Sequence, residues 1–183
     1  MEKTEVKNVY VYNQDDNNYE MLVRTKGKLK SFKIDADDFE TVSPIRWHDN
    51  GSGYLINRFV EKGKRITLRL HRALMSPAPN EDVDHINRDV TDNRKSNLRI
   101  CTHHDNCKNK SKSRGCTSRY KGVCYAKNRG KWISHIRVAE KLKYLGYYES
   151  EKAAAVAYDE AAIKYYGEFA NPNFPTENKV RVG

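Results

Sequence analysis

The stretch VDHINRDVTDNRKSNLRICTHHDNCKN, residues 83–109, gathers three His and five Asn and has little apolar material to bury. Imidazole, amide and carboxylate groups at this density are metal-capable and hydrogen-bonding rather than core-forming. Locally, DVDHI favours a short strand, NRDVTDNRKSN is turn chemistry throughout, and LRIC is a second short strand. Thr102 followed by Asp105 matches a capping box and predicts a helix starting near His103. The element order is therefore strand, loop, strand, helix.

Upstream, between Val9 and about Leu70, short alternating segments recur: VYVY, EMLVR, KLKSFKI, SGYLINRFV and RITLRL, separated by turn clusters such as NQDDNN, HDNGSG and EKGK. They read as a meander of short antiparallel strands whose role is support or additional nucleic-acid contact. HRALM, residues 71–75, is expected to make one or two helical turns, stopped by the prolines of SPAPN. Downstream, residues 110–119, KSKSRGCTSR, are basic, rich in Ser and Gly, and read as a linker. From Tyr120 three strand candidates follow, YKGVCYA, KWISHIRV and KLKYLGYY, with a tight turn near AEK. Ser150 then caps a helix whose apolar positions 154, 157, 158, 161 and 165 keep the helical period, with Gly167 as its stop. Its alanines let it lie close on a sheet.

Composition narrows the function. Leu, Ile, Val and Phe number 36 of 183 residues, which favours small modules over one deep core. Residues 1–83 carry 14 Lys/Arg against 13 Asp/Glu, while residues 84–183 carry 20 against 11, so nearly all of the net +10 lies in the second part. Such an excess points to a polyanion. No apolar run approaches membrane-spanning length and MEKTEVKNVY lacks a signal-peptide core, so a soluble, cytoplasmic chain bound to nucleic acid, with no membrane partner, is expected. Cys101, Cys107, Cys116 and Cys124 form no C-x-x-C knuckle and are expected to be reduced thiols, with a structural zinc site as the minor alternative.

Phosphodiester hydrolysis needs a base to activate water, positive charge at the developing oxyanion and a grip on the strand; a neutral imidazole supplies the first and a divalent cation the second. Neighbouring strand residues such as Asp84 and His85 point to opposite faces, so both serve one site only where a helix or loop adds a second wall. D-H-I-N, then D-N-R-x-x-N-L-R, then T-x-x-x-N-x-x-N resembles the HNH (His-Asn-His) nuclease motif in its homing-endonuclease form, with LHRALM as its lead-in. The resemblance covers about residues 70–111. It implies His85 as general base, Asp84 and Asn106 as ligands of one divalent cation, and Asn97 as the brace of the loop that orients His85. An Asn in the last position leaves oxygen ligands, which suit Mg²⁺, or Mn²⁺, better than Zn²⁺. His103 and His104 are assigned to DNA or solvent, and Asn109, one turn beyond Asn106, is a reserve ligand.

SRYKGV, GKWISHIRV, YLGYY, SEKAAAVAYDEAAIKYYG and ANPNFP resemble the Apetala/ethylene-response-factor DNA-binding domain over residues 119–175. The resemblance implies a three-stranded antiparallel sheet on one helix, its exposed face in the major groove. By alternation Trp132, Ser134, Ile136 and Val138 belong to the helix side, and Ile133, His135 and Arg137 to the DNA side. Lys121, Lys131, His135, Arg137 and Tyr144 are the expected DNA contacts. Cys124 stands where the family commonly has Arg, and His135 where plant members often have an acid, so base preference does not transfer.

The fold class expected is α+β: a β-rich region over 1–69, a ββα-metal nuclease core over 70–111, a linker over 112–118, a DNA-binding domain over 119–175 and a tail over 176–183. The expected function is a site-specific, metal-dependent endonuclease acting on double-stranded DNA, of the type mobile elements and bacteriophages encode, working in the host cytoplasm. The alternative is a DNA-binding regulator with a decayed nuclease core. One motif per chain implies one strand cut per engagement by a monomer, with a dimer or re-engagement needed for a double-strand break.

Overall fold

The computed structural model describes residues 8–110 and 117–174. Cys116, most of the expected linker and the whole of the expected tail lie outside the described residues. The chain divides into two compact units, Met1–His103 and His104–Gly183. Both mix helices with small antiparallel sheets.

The first unit opens with β1 (Val9–Asn13), β2 (Asn18–Thr25) and β3 (Lys28–Asp35), paired in that order. A 3-10 turn (Ala36–Asp38) runs into α1 (Phe39–Val42), and β4 (His48–Asp49), β5 (Leu55–Glu61) and β6 (Lys64–Arg69) make a second sheet. The expected single meander is thus two three-stranded sheets. The reason lies between them: the helical turns after Asp35 and the buried Trp47, whose indole N–H donates to Val42 O at 3.0 Å, redirect the chain before β4.

Alternation places Met21, Val23, Phe32 and Ile34 on the inner face of the first sheet, where they meet Val42, Trp47, Leu55 and Leu70 in one core. The turns at Lys26-Gly27 and Lys62-Gly63 have positive φ at both residues, the backbone of a two-residue hairpin whose twist suits the strands. α2 (Leu70–Met75) follows β6 directly and anchors by Leu70, which is fully buried. β7 (Glu81–His85) and β8 (Leu98–Thr102) form a two-stranded hairpin, and α2 packs against both strands. α3 (His103–Asn109) begins where the capping pattern predicts.

The second unit holds β9 (Val123–Ala126), β10 (Lys131–Val138) and β11 (Lys141–Tyr148), with β10 central, and α4 (Glu151–Tyr166). Ser150 caps α4, its hydroxyl accepting from Ala153 N at 3.1 Å. The buried stripe is Ala154, Ala155, Tyr158, Asp159, Ala161 and Ala162, so it is broader than the predicted set and includes a carboxylate. Asp159 is satisfied by Asn173 N at 2.7 Å and Phe174 N at 2.8 Å, which ties the segment after the helix to its side. Ser118, read as linker, is only 1 % exposed and donates to Glu151 at 2.7 Å, so this unit includes it. Gly122 has φ +74°, and a Cβ there would lie 1.9 Å from the Tyr158 ring. No larger residue fits.

Candidate functional site

In the β7–β8 hairpin Asp84 stands opposite Arg99 and His85 opposite Leu98. Asp84 is buried on one face, where the Arg99 guanidinium donates twice to its Oδ2, from Nε at 3.0 Å and Nη2 at 2.7 Å. His85 is buried on the other face, 4 % exposed, and its ring packs in a trio: 5.3 Å from His71 and 5.9 Å from Tyr54, with Tyr54 and His71 themselves 5.3 Å apart. The wall beside His85 is therefore built by α2, which carries His71, and by Tyr54 just before β5.

The polarity of His85 follows from its neighbour Asn93. The Asn93 amide nitrogen donates to Thr91 O at 3.3 Å, which turns the amide oxygen toward His85 Nε2 at 3.4 Å. An acceptor facing Nε2 favours the tautomer with the proton there, leaving the lone pair on Nδ1. Burial holds the imidazole below the usual histidine pKa, against the pull of Asn93, Asp84, Asp89 and Asp92. His71 is pushed further, down to about 3, by burial and then by His85, Arg69 and Arg72. Both rings are neutral at neutral pH.

The loop from Ile86 to Asn97 is held from two sides. Asn97 accepts from Asn87 N at 2.9 Å through its side-chain oxygen and donates to Asp92 O at 2.8 Å, closing the loop across its middle. From outside, β3 reaches in: Lys33 N donates to Thr91 O at 2.8 Å and Asn93 N donates to Lys33 O at 2.9 Å, while Asp35 accepts from Lys95 N at 2.7 Å. The N-terminal sheet thus fixes the residue that orients His85. Support is one function of this region.

Of the four residues singled out in the motif, Asp84, His85 and Asn97 lie on this hairpin and its loop, with Asp84 and His85 on opposite faces. Asn106 lies on α3, beyond the division between the units. Asn109, the reserve ligand, is buried in the second unit, its carbonyl accepting from Asn171 at 3.1 Å. Asp84 offers carboxylate oxygen, a donor type suited to a hard cation. Among the described residues no three His, Cys, Asp or Glu side chains converge as a metal cage. Sequence reasoning missed His71, Tyr54 and Arg99. His71 was visible only as part of the lead-in, and Tyr54 had no local signal at all.

In the second unit the helix side of β10 carries Ile136 and Val138 in one cluster with α4 and Trp132 in another, as alternation predicts. On the other face His135 pairs with Tyr144 and Arg137 with Leu142 across β10–β11. Tyr144 is 66 % exposed and Arg137 is exposed; His135 is half-buried and its pKa is lowered by that burial and by Arg137. Lys131 pairs with Glu149 at 2.7 Å. Lys121 is differently employed: its ammonium donates to Lys108 O at 2.6 Å, an intrachain bond that a phosphate would have to displace. Tyr147, under the Arg129 guanidinium at 4.9 Å, shares this face and was not anticipated.

No protein-family model matches the chain. An uncharacterized HNH endonuclease of Acanthamoeba polyphaga mimivirus is 30% identical over 163 residues, covering 85% of this chain and 80% of that protein. APETALA2-like protein 2 of Oryza sativa is 46% identical over 61 residues, 33% of this chain. An AP2-like ethylene-responsive transcription factor of Arabidopsis thaliana is 44% identical over 61 residues. The chain spans only 14% and 13% of the length of these two plant relatives. No helix among the described residues is long and apolar enough to cross a membrane.

Proposed function

The chain belongs to the HNH endonuclease family, and from that premise we propose that it is a site-specific, metal-dependent endonuclease of homing type acting on double-stranded DNA. The observation that carries the reading is the oriented, neutral, buried His85, its Nε2 facing Asn93 Oδ1 at 3.4 Å. Nδ1 of such a ring takes the proton from the attacking water, and Asn93, held by β3 and the Asn97 brace, keeps the ring in place. Asp84 and Asn106 would hold one Mg²⁺, or Mn²⁺, by oxygen. When bound, the cation supplies positive charge to the developing oxyanion and leaving oxygen. Arg99 fixes the Asp84 carboxylate for that task.

The second unit serves as the address. The likeness to transcription factors, the exposed Arg137, Tyr144 and Lys131 and the half-buried His135 beside them support a DNA-binding face there, with arginine and tyrosine as base or sugar readers and lysine on phosphate. One chain, acting as a monomer, carries one such site and cuts one strand per engagement.

The test is incubation of the full chain with supercoiled plasmid in Mg²⁺, Mn²⁺, Zn²⁺ or chelator, with products resolved as nicked or linear. Nicking in Mg²⁺ or Mn²⁺ is expected, with His85→Ala slower by about 10² to 10⁴ while still binding DNA. No cutting with any of the metals favours a non-catalytic DNA-binding regulator instead.

A further inference from the structure

The β5–β6 ribbon carries an arginine face that neither the catalytic site nor the core uses. In its register Ile56 stands opposite Arg69, Arg58 opposite Thr67 and Val60 opposite Arg65. Side chains alternate across a strand, so Arg58, Arg65 and Arg69 share one face with Val60 and Thr67. All three arginines are exposed, and among the described residues none has a carboxylate within ion-pair distance. The ribbon's only acid, Glu61, pairs with Lys64 on the opposite face.

We infer that this face is a second DNA-docking surface, on which Arg58, Arg65 and Arg69 track the phosphates of the duplex beside the scissile bond. Cross-strand pairing staggers the three charges by two residues each, about 7 Å. Projected on the duplex axis, that is two phosphate steps of one strand of B-DNA. A two-stranded ribbon is also narrow enough to enter a major groove. The track ends at the catalytic wall, because Arg69 runs directly into α2, where His71 packs on His85. Unpaired arginines in a row cost stability through mutual repulsion and are offset when phosphates neutralise them.

The inference rests on duplex DNA being the substrate. Full-length chain and the variant Arg58→Gln/Arg65→Gln/Arg69→Gln are titrated against target and random duplexes over a range of salt, in chelator so that nothing is cut. A control with equal charge loss, Arg24→Gln/Lys26→Asn/Lys28→Gln, sits on the β2–β3 hairpin. The ribbon variant should lower the slope of log K against log salt by about 2 to 3 and weaken both duplexes alike. Each single Arg→Gln change should lower it by about 1, which keeps the test decisive should the triple variant fold poorly. A slope change no larger than the control's overturns the inference and leaves the endonuclease reading standing. Wild-type chain that binds no duplex overturns both.

Discussion

The imidazole of His71 lies 5.3 Å from that of His85 at an interplanar angle of 63°, so the lead-in helix supplies part of the wall around the candidate base. His71→Ala removes that wall and frees the His85 ring to tilt. The expected result is a fall in the cleavage rate constant of about ten- to a hundredfold with DNA affinity unchanged, the signature of misplacement rather than lost binding. His71→Phe, which restores an aromatic surface, should recover most of the rate. Single-turnover cleavage with bound DNA separates the two outcomes.

The same pair makes the first unit acid-sensitive. His71 titrates near 6.5 when unfolded and about 3 when folded, so the unfolded chain binds the extra proton first and stability is lost as pH falls below 6.5 toward 3. His85, shifted in the same direction, adds to the effect. The loss approaches about 1.4 kcal/mol per pH unit for His71 alone. Urea unfolding at pH 7, 6, 5 and 4 should show it, and His71→Phe should flatten the profile. An unchanged profile would remove His71 from this account.

Asn97→Ala deletes the acceptor for Asn87 N and the donor for Asp92 O at a buried position. Leaving such groups unpaired costs about 1 to 3 kcal/mol each at most. A lower urea midpoint together with slower cutting is expected. Asn97→Asp keeps the acceptor and should retain more stability than Ala.

Asp84→Ala and Asn106→Ala should each raise the Mg²⁺ concentration needed for half-maximal cutting. The double variant should be little worse than either single one, since residues that share one cation are not additive. Additive losses in metal titrations would show that the two do not serve the same ion.

Gly122→Ala drives a methyl group into the Tyr158 ring, at a backbone angle that alanine rarely adopts. Destabilisation of the second unit by about 2 kcal/mol or more is expected. Thermal unfolding should show that transition moving down while nicking of random-sequence plasmid persists. Target preference should fall with it.

Elements whose signal is local were legible in the chain. The β7–loop–β8–α3 order follows from turn residues and a cap, and the second unit from period-two strands followed by a capped helix. The charge asymmetry and the Asp84, His85, Asn97 and Asn106 spacing were equally open to inspection, because each depends on residues close in sequence. Tertiary structure alone decided what surrounds them. Lys33 bonding Thr91 and Asn93 joins residues about sixty apart, and Tyr54, His71 and His85 meet from a loop, a helix and a strand, so no periodicity announces either. The division of residues 9–70 into two sheets was hidden for the same reason: it turns on Trp47 burying against residues of distant strands. Local preference sets which elements form. Burial of apolar surface between elements far apart in the chain sets which side chains stand beside the candidate base His85, and that choice has no local signature.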